Sequence, residues 1–118
     1  MKEDLAFIEH ILDSINAIES FSRDLDKNKL TSDRLRQSAI VREIEIIGEA
    51  VKNISESLKN KYKGIEWKEI SGTRDKMIHH YFGVDLNIVW NIIKRDLPNL
   101  KTKILKIKED LRKSNENP

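Results

Sequence analysis

Ile40, Ile44, Ile47, Val51, Ile54 and Leu58 step by four and three residues without a break. That spacing lays one apolar stripe along a single helix face and excludes the two-residue alternation of a half-buried strand. It predicts a helix from Asp33 to about Leu58, a rod of roughly 40 Å at 1.5 Å per residue. Such a stripe has to be covered by other elements, and two more stripes are present to cover it. Leu5, Ile8, Leu12 and Ile15, flanked by Phe7, Ile11 and Ile18, predict a first helix ending near Phe21. Leu100, Ile104, Ile107 and Leu111 predict a last helix with Pro98 in its first turn. The expected class is all-α, an up-and-down bundle, and a composition of 36% charged and 6% aromatic residues suits long helices with polar outer faces.

Between these stripes, Ser22 to Thr31 reads as a connection, with Ser32 as N-cap of the second helix and Asp33 in its first turn. Gly48 costs about 1 kcal/mol against alanine inside a helix, which points to another backbone close by. Lys59 to Gly64 ends that helix, with Gly64 suited to a left-handed cap. A third helix is expected over Trp67–Tyr81, with Ser71-Gly72 as its weak point and Gly83 closing it. Asp85 can cap a fourth, in which Leu86, Ile88, Val89, Trp90, Ile92 and Ile93 are apolar nearly all round, so that one side is open to a partner subunit.

The 118 residues are expected to form one domain over 1–113 with a frayed tail over 114–118. A net charge of +2 is too small for binding nucleic acid by charge alone, and the Lys101, Lys103, Lys106, Lys108 and Arg112 face is read as solvated. His10 is given no role. Cysteine is absent, and neither a secretory apolar core nor a membrane-length run occurs, so a cytoplasmic protein without membrane contact is expected.

Arg74-Asp75-Lys76-Met77-Ile78-His79-His80-Tyr81 concentrates the chemistry. Trp67, Ile70, Arg74, Met77, Ile78 and Tyr81 fall on one helical stripe that is apolar except at Arg74. A guanidinium there calls for a carboxylate, a phosphate or a second subunit, and Glu43, on the margin of the second helix's buried face, is the carboxylate expected to meet it. No P-loop, H-E-x-x-H, paired-Asp loop or G-x-S-x-G is present. Adjacent His79 and His80 point about 100° apart on a helix, which suits no shared metal. Metal-free acid–base chemistry remains. In RNA cleavage, His79 could serve as base or acid and Arg74 could stabilise the phosphorane charge; His80 reads as an exposed helix-end residue. On a straight helix Arg74 and His79 lie about 140° apart, so one helix does not bring them together.

The octapeptide resembles the R-x4-H-x-Y signature of the HepT toxins, the DUF86 branch of the HEPN superfamily, with Arg74, His79 and Tyr81 on the motif positions. Arg42-Glu43-Ile44-Glu45-Ile46-Ile47-Gly48-Glu49-Ala50, Trp67-Lys68-Glu69-Ile70-Ser71-Gly72 and Tyr81-Phe82-Gly83-Val84-Asp85 are similar to the family's second helix and to the flanks of its motif. Val89-Trp90 and Asp96-Leu97-Pro98 extend the likeness. Ile65-Glu66 stands where many relatives carry proline before the tryptophan. The resemblance implies a HEPN-type four-helix bundle with an additional C-terminal helix, a homodimer whose motif helices meet in a composite cleft, and a metal-independent endoribonuclease without cofactor. It also implies the toxin of a type VII pair, silenced when an MntA-like nucleotidyltransferase antitoxin transfers AMP to Tyr81. Arg74 and His79 would be catalytic, with Glu43, Asp75 and His80 supporting them. Two other readings stand beside it: a non-enzymatic helical partner presenting substrate to such a nucleotidyltransferase, and a dimeric bundle in which Arg74 merely pairs with Glu43.

Overall fold

The computed structural model of the chain describes residues 2–79 and 83–116. The first helix, α1 (Lys2–Phe21), packs against α3 (Arg34–Lys52) and against the last helix, α8 (Leu97–Glu116). Each apolar stripe read from the sequence turns inward: Ile8, Ile11 and Ile15 from α1, Ile40, Ile44 and Ile47 from α3, and Ile104 and Ile107 from α8 are buried together. Each such side chain contributes about 1.5–3 kcal/mol when removed from water, so these three faces dominate the stability of the bundle. Pro98 sits in the first turn of α8, as expected. Helix α8 runs on to Glu116, beyond Ser114 where fraying was expected. Among the described residues no helix is long and apolar enough to cross a membrane.

The rod expected from Asp33 to Leu58 is broken. Helix α3 stops at Lys52, and Ser55, in extended backbone, caps a separate α4 (Glu56–Lys61) by accepting from the Leu58 amide at 3.2 Å. The cause lies 51 residues away in Asp4, which is only 3% exposed. Its carboxylate accepts from the Ser55 amide at 2.9 Å and from the Ser55 hydroxyl at 2.6 Å, capturing an N–H that a continuous helix would have spent on a carbonyl one turn back. Ile54 and Leu58 stay buried across the break, so the stripe keeps its phase although the helix does not. The expected connection likewise contains a helix, α2 (Lys27–Ser32), capped by Asp26, which accepts from the Lys29 amide at 2.8 Å. Asp33 rather than Ser32 caps α3, accepting from the Arg36 amide at 3.0 Å.

Gly64 is not a left-handed cap; Tyr62 closes α4, and among the described residues Gly83, with φ of 76°, is the glycine in the left-handed region. The Gly64 carbonyl instead accepts from Lys103 Nζ at 2.9 Å. Beside it the Tyr62 hydroxyl donates to Asp110 Oδ2 at 2.6 Å, tying the loop after α4 to α8. Burial first, then the bond to Asp110 and its charge, push the Tyr62 hydroxyl up to about 12. The same hydroxyl, followed by Lys106, holds the Asp110 carboxyl below the usual range.

The third helix is divided and shorter than expected. Helices α5 (Trp67–Ser71) and α6 (Thr73–Met77) meet at Gly72, and the chain then leaves helical geometry as β1 (Ile78–His79), paired antiparallel with β2 (Gly83–Val84). Ile78 faces Val84 and His79 faces Gly83, and the Asp85 amide donates to the Met77 carbonyl at 2.7 Å. Gly83 thus opens β2 instead of closing a helix. Asp85 does cap the next helix, α7 (Leu86–Asn91), accepting from the Asn87 and Ile88 amides at 3.0 and 3.2 Å. A π-helical segment over Ile92–Asp96 joins α7 to α8. Val89, Ile92 and Ile93 are buried, while Leu86, Ile88 and Trp90 are only partly covered. The architecture is all-α apart from the two-residue ladder that carries the motif.

Candidate functional site

The site begins with a close approach of two backbones. A Cβ at Gly48 of α3 would lie 3.4 Å from the Ile70 carbonyl oxygen and 3.6 Å from that of Ser71, so the end of α5 rests directly on α3, as the glycine suggested. Trp67 anchors the start of α5 from within the core, its indole N–H donating to the Tyr62 carbonyl at 3.1 Å. Helix α6 follows at once, with Thr73 tied back to the Glu69 carbonyl at 3.0 Å and Met77 fully buried beneath it. These contacts fix α6 at both ends, leaving Arg74 on its outer side.

Arg74 is therefore not a core residue. Its side chain is 64% exposed, and its Nε donates to Glu45 Oε2 at 3.0 Å. Glu43, the carboxylate expected to meet it, does not; Glu45 lies three residues before Gly48, on the face that α5 and α6 approach. That shared face was the signal in the sequence that could have found Glu45. At such exposure the pair is worth at most about 1 kcal/mol, so it does little for stability. It does orient the guanidinium: one of five N–H donors is used, and among the described residues the terminal Nη groups have no partner. The Asp75 carboxylate, also exposed on α6, has no partner there either.

The helix end at Met77 voids the straight-helix premise that set Arg74 and His79 apart. The 140° separation presumed one straight helix through both, whereas His79 stands on β1, where the backbone no longer follows the helical rotation. Of His79 the backbone is described; His80 and Tyr81 lie outside the described residues. A cleft of about 460 Å³ opens beside α6 and is lined by Ile44, Ile47, Ile70, Thr73, Lys76 and Ile88 among others, but Arg74 and Glu45 stand outside it. Among the described residues no group of three or more His, Cys, Asp or Glu side chains could hold a metal ion.

Arg74 is thus an exposed arginine held through one nitrogen, on the short helix that leads into the strand carrying His79. Residues 11–107 match the family described as ribonuclease HepT-like. The chain belongs to that family. Among HepT-like relatives, a Thermococcus cleftensis protein named a probable ribonuclease HepT is 41% identical over 87% of this chain and 94% of its own length. A Methanocaldococcus jannaschii protein provisionally named an RNase is 39% identical over 98% of this chain and 96% of its own. A second protein of that organism, named for both a gamma-glutamylcyclotransferase and a provisional RNase, is 43% identical over 99% of this chain, which spans 53% of its length. No solved structure matches the chain.

Proposed function

We propose that this HepT-like chain is a ribonuclease, the toxin of a toxin–antitoxin pair, and that it cleaves RNA through Arg74 and His79 without a metal. The observation that carries the reading is the outward guanidinium of Arg74, fixed through Nε with its Nη groups unspent among the described residues, on the short helix just before His79. A planar fork of two N–H donors matches two phosphate oxygens. In the reaction a base removes the 2′-hydroxyl proton, O2′ attacks phosphorus, and the P–O5′ bond breaks as an acid protonates O5′. The products are a 2′,3′-cyclic phosphate and a 5′-hydroxyl. Arg74 balances the additional charge on the phosphorane, and His79 serves one of the two proton transfers. DNA lacks the attacking hydroxyl and is not a substrate.

The second proton-transfer group comes from a facing copy, which makes the active form a homodimer. Leu86, Ile88 and Trp90 of α7, only partly buried at the edge of the core, support a subunit contact. Control falls to Tyr81: an MntA-like nucleotidyltransferase antitoxin transfers AMP to its phenol, placing a phosphate where it competes for the Arg74 fork and adenosine across the entry. The test uses the protein purified free of antitoxin and incubated with total RNA in EDTA. Fragments ending in 2′,3′-cyclic phosphate support the proposal. Intact RNA beside a nucleotidyltransferase that the chain activates favours the substrate-presenting reading instead.

A further inference from the structure

We infer that Glu45, on α3, is a positioning residue for the ribonuclease reaction: it holds the Arg74 guanidinium by one edge so that the Nη1–Nη2 end faces the substrate phosphodiester. The inference rests on the proposed function and adds to it a residue outside the motif. Three observations carry it. The Glu45 side chain is 26% exposed, less free than the arginine it binds, so in this pair the carboxylate is the fixed member and the guanidinium the mobile one. The Glu45 contact is to Nε at 3.0 Å and to no other guanidinium nitrogen, which, among the described residues, leaves the parallel N–H pair at the far end for a bidentate phosphate. Glu45 is also one turn from Gly48, where the Ile70 and Ser71 carbonyls meet α3, so the distance from Glu45 to α6 is set by backbone contact rather than by the reach of two flexible side chains.

An arginine on a five-residue helix, 64% exposed, would otherwise sample many rotamers. Bonding through Nε narrows that freedom before RNA arrives, and misalignment of a catalytic group costs up to about 100-fold in rate. Glu45 is aligned with the side edge of the guanidinium and does not occupy the phosphate-binding end, so it orients Arg74 without blocking it.

The experiment compares wild type, Glu45→Gln and Glu45→Ala on an oligoribonucleotide with one cleavage site, and repeats Glu45→Ala in an Arg74→Ala background. Glu45→Ala is expected to lower kcat about 10- to 100-fold with a smaller change in KM. Glu45→Gln, which retains an acceptor oxygen, is expected to recover part of that loss, and Glu45→Ala should add nothing once Arg74 is gone. In parallel, the Arg74 Nε–H nitrogen resonance should be protected from exchange in wild type and Glu45→Gln and lose protection in Glu45→Ala. An unchanged or raised kcat in Glu45→Ala, or equal losses with and without Arg74, overturns the inference. If wild type leaves RNA intact, the ribonuclease reading fails by itself, and the resonance decides whether Glu45 positions Arg74.

Discussion

Gly48 connects the packing of the bundle to the site, and replacing it separates the two contributions. Alanine there gains about 1 kcal/mol of helix propensity. Its Cβ would stand 3.4 Å from the Ile70 oxygen and 3.6 Å from the Ser71 oxygen, contacts at the short end of the ordinary range, so most of that gain survives and Gly48→Ala is expected to be neutral or up to about 1 kcal/mol more stable. Valine adds two methyl groups where the first carbon already touches backbone. The carbonyls cannot rotate away as a side chain would, and overpacking of this kind costs about 1–3 kcal/mol. After its own modest propensity gain over glycine, Gly48→Val should lose about 1–2 kcal/mol, a fall of roughly 4–8 °C in Tm. It should also push the α5–α6 junction off α3 and carry Arg74 away from Glu45, lowering RNA cleavage by more than the unfolded fraction explains. Urea unfolding and single-turnover cleavage on the same preparations check both parts. A valine variant as stable and active as the alanine one would refute the reasoning.

The three long apolar stripes were legible because each keeps one phase and one face, and the Asp85 cap and the first-turn Pro98 were legible because each acts on its own first turn. The break after Lys52 was hidden for a physical reason. Ile54 and Leu58 remain in phase with Val51, and the group that captures the Ser55 amide belongs to α1. Asn53 and Ser55 were the local signals, and the unbroken apolar stripe outweighed them. At the motif, Met77 and Ile78 continue the helical stripe, which masked the extended segment; Ile78 and Val84, β-branched and followed or preceded by aromatic and glycine residues, were the opposing signal. Arg74 was expected on the core stripe and is exposed instead, since a stripe shows which residues share a face and not how far along it the covering layer extends. Glu45 was missed in favour of Glu43 because the partner helix was oriented by the apolar stripe alone, without using Gly48 as the contact point.

Asp4→Ala should destabilise the fold by about 2–4 kcal/mol, since it leaves the Ser55 amide unpaired in a site where Asp4 is 3% exposed; chemical denaturation measures this, and a loss below about 0.5 kcal/mol would contradict the capping role. Tyr62 makes stability fall as pH rises from 10.0 towards about 12, because in that window the unfolded tyrosine has released a proton that the folded one keeps. Thermal melts of wild type and Tyr62→Phe across that window should converge, and parallel curves would count against it. Tyr81→Phe should keep the fold and accept no AMP from a cognate nucleotidyltransferase, as read by intact mass and peptide mapping; AMP found on wild type at another residue would contradict the proposed control. Light scattering at micromolar concentration should report a dimer rather than 13.8 kDa.

Arg74 is proposed to act on the RNA phosphate rather than on the stability of the bundle. The measurement that tests it most directly is the single-turnover cleavage rate of an oligoribonucleotide by wild type and Arg74→Ala at equal folded concentration. A fall of about 10²–10³-fold or more is expected, with a stability change no larger than the roughly 1 kcal/mol of an exposed ion pair. An unchanged cleavage rate, or a rate that falls only as far as the folded fraction does, would contradict it.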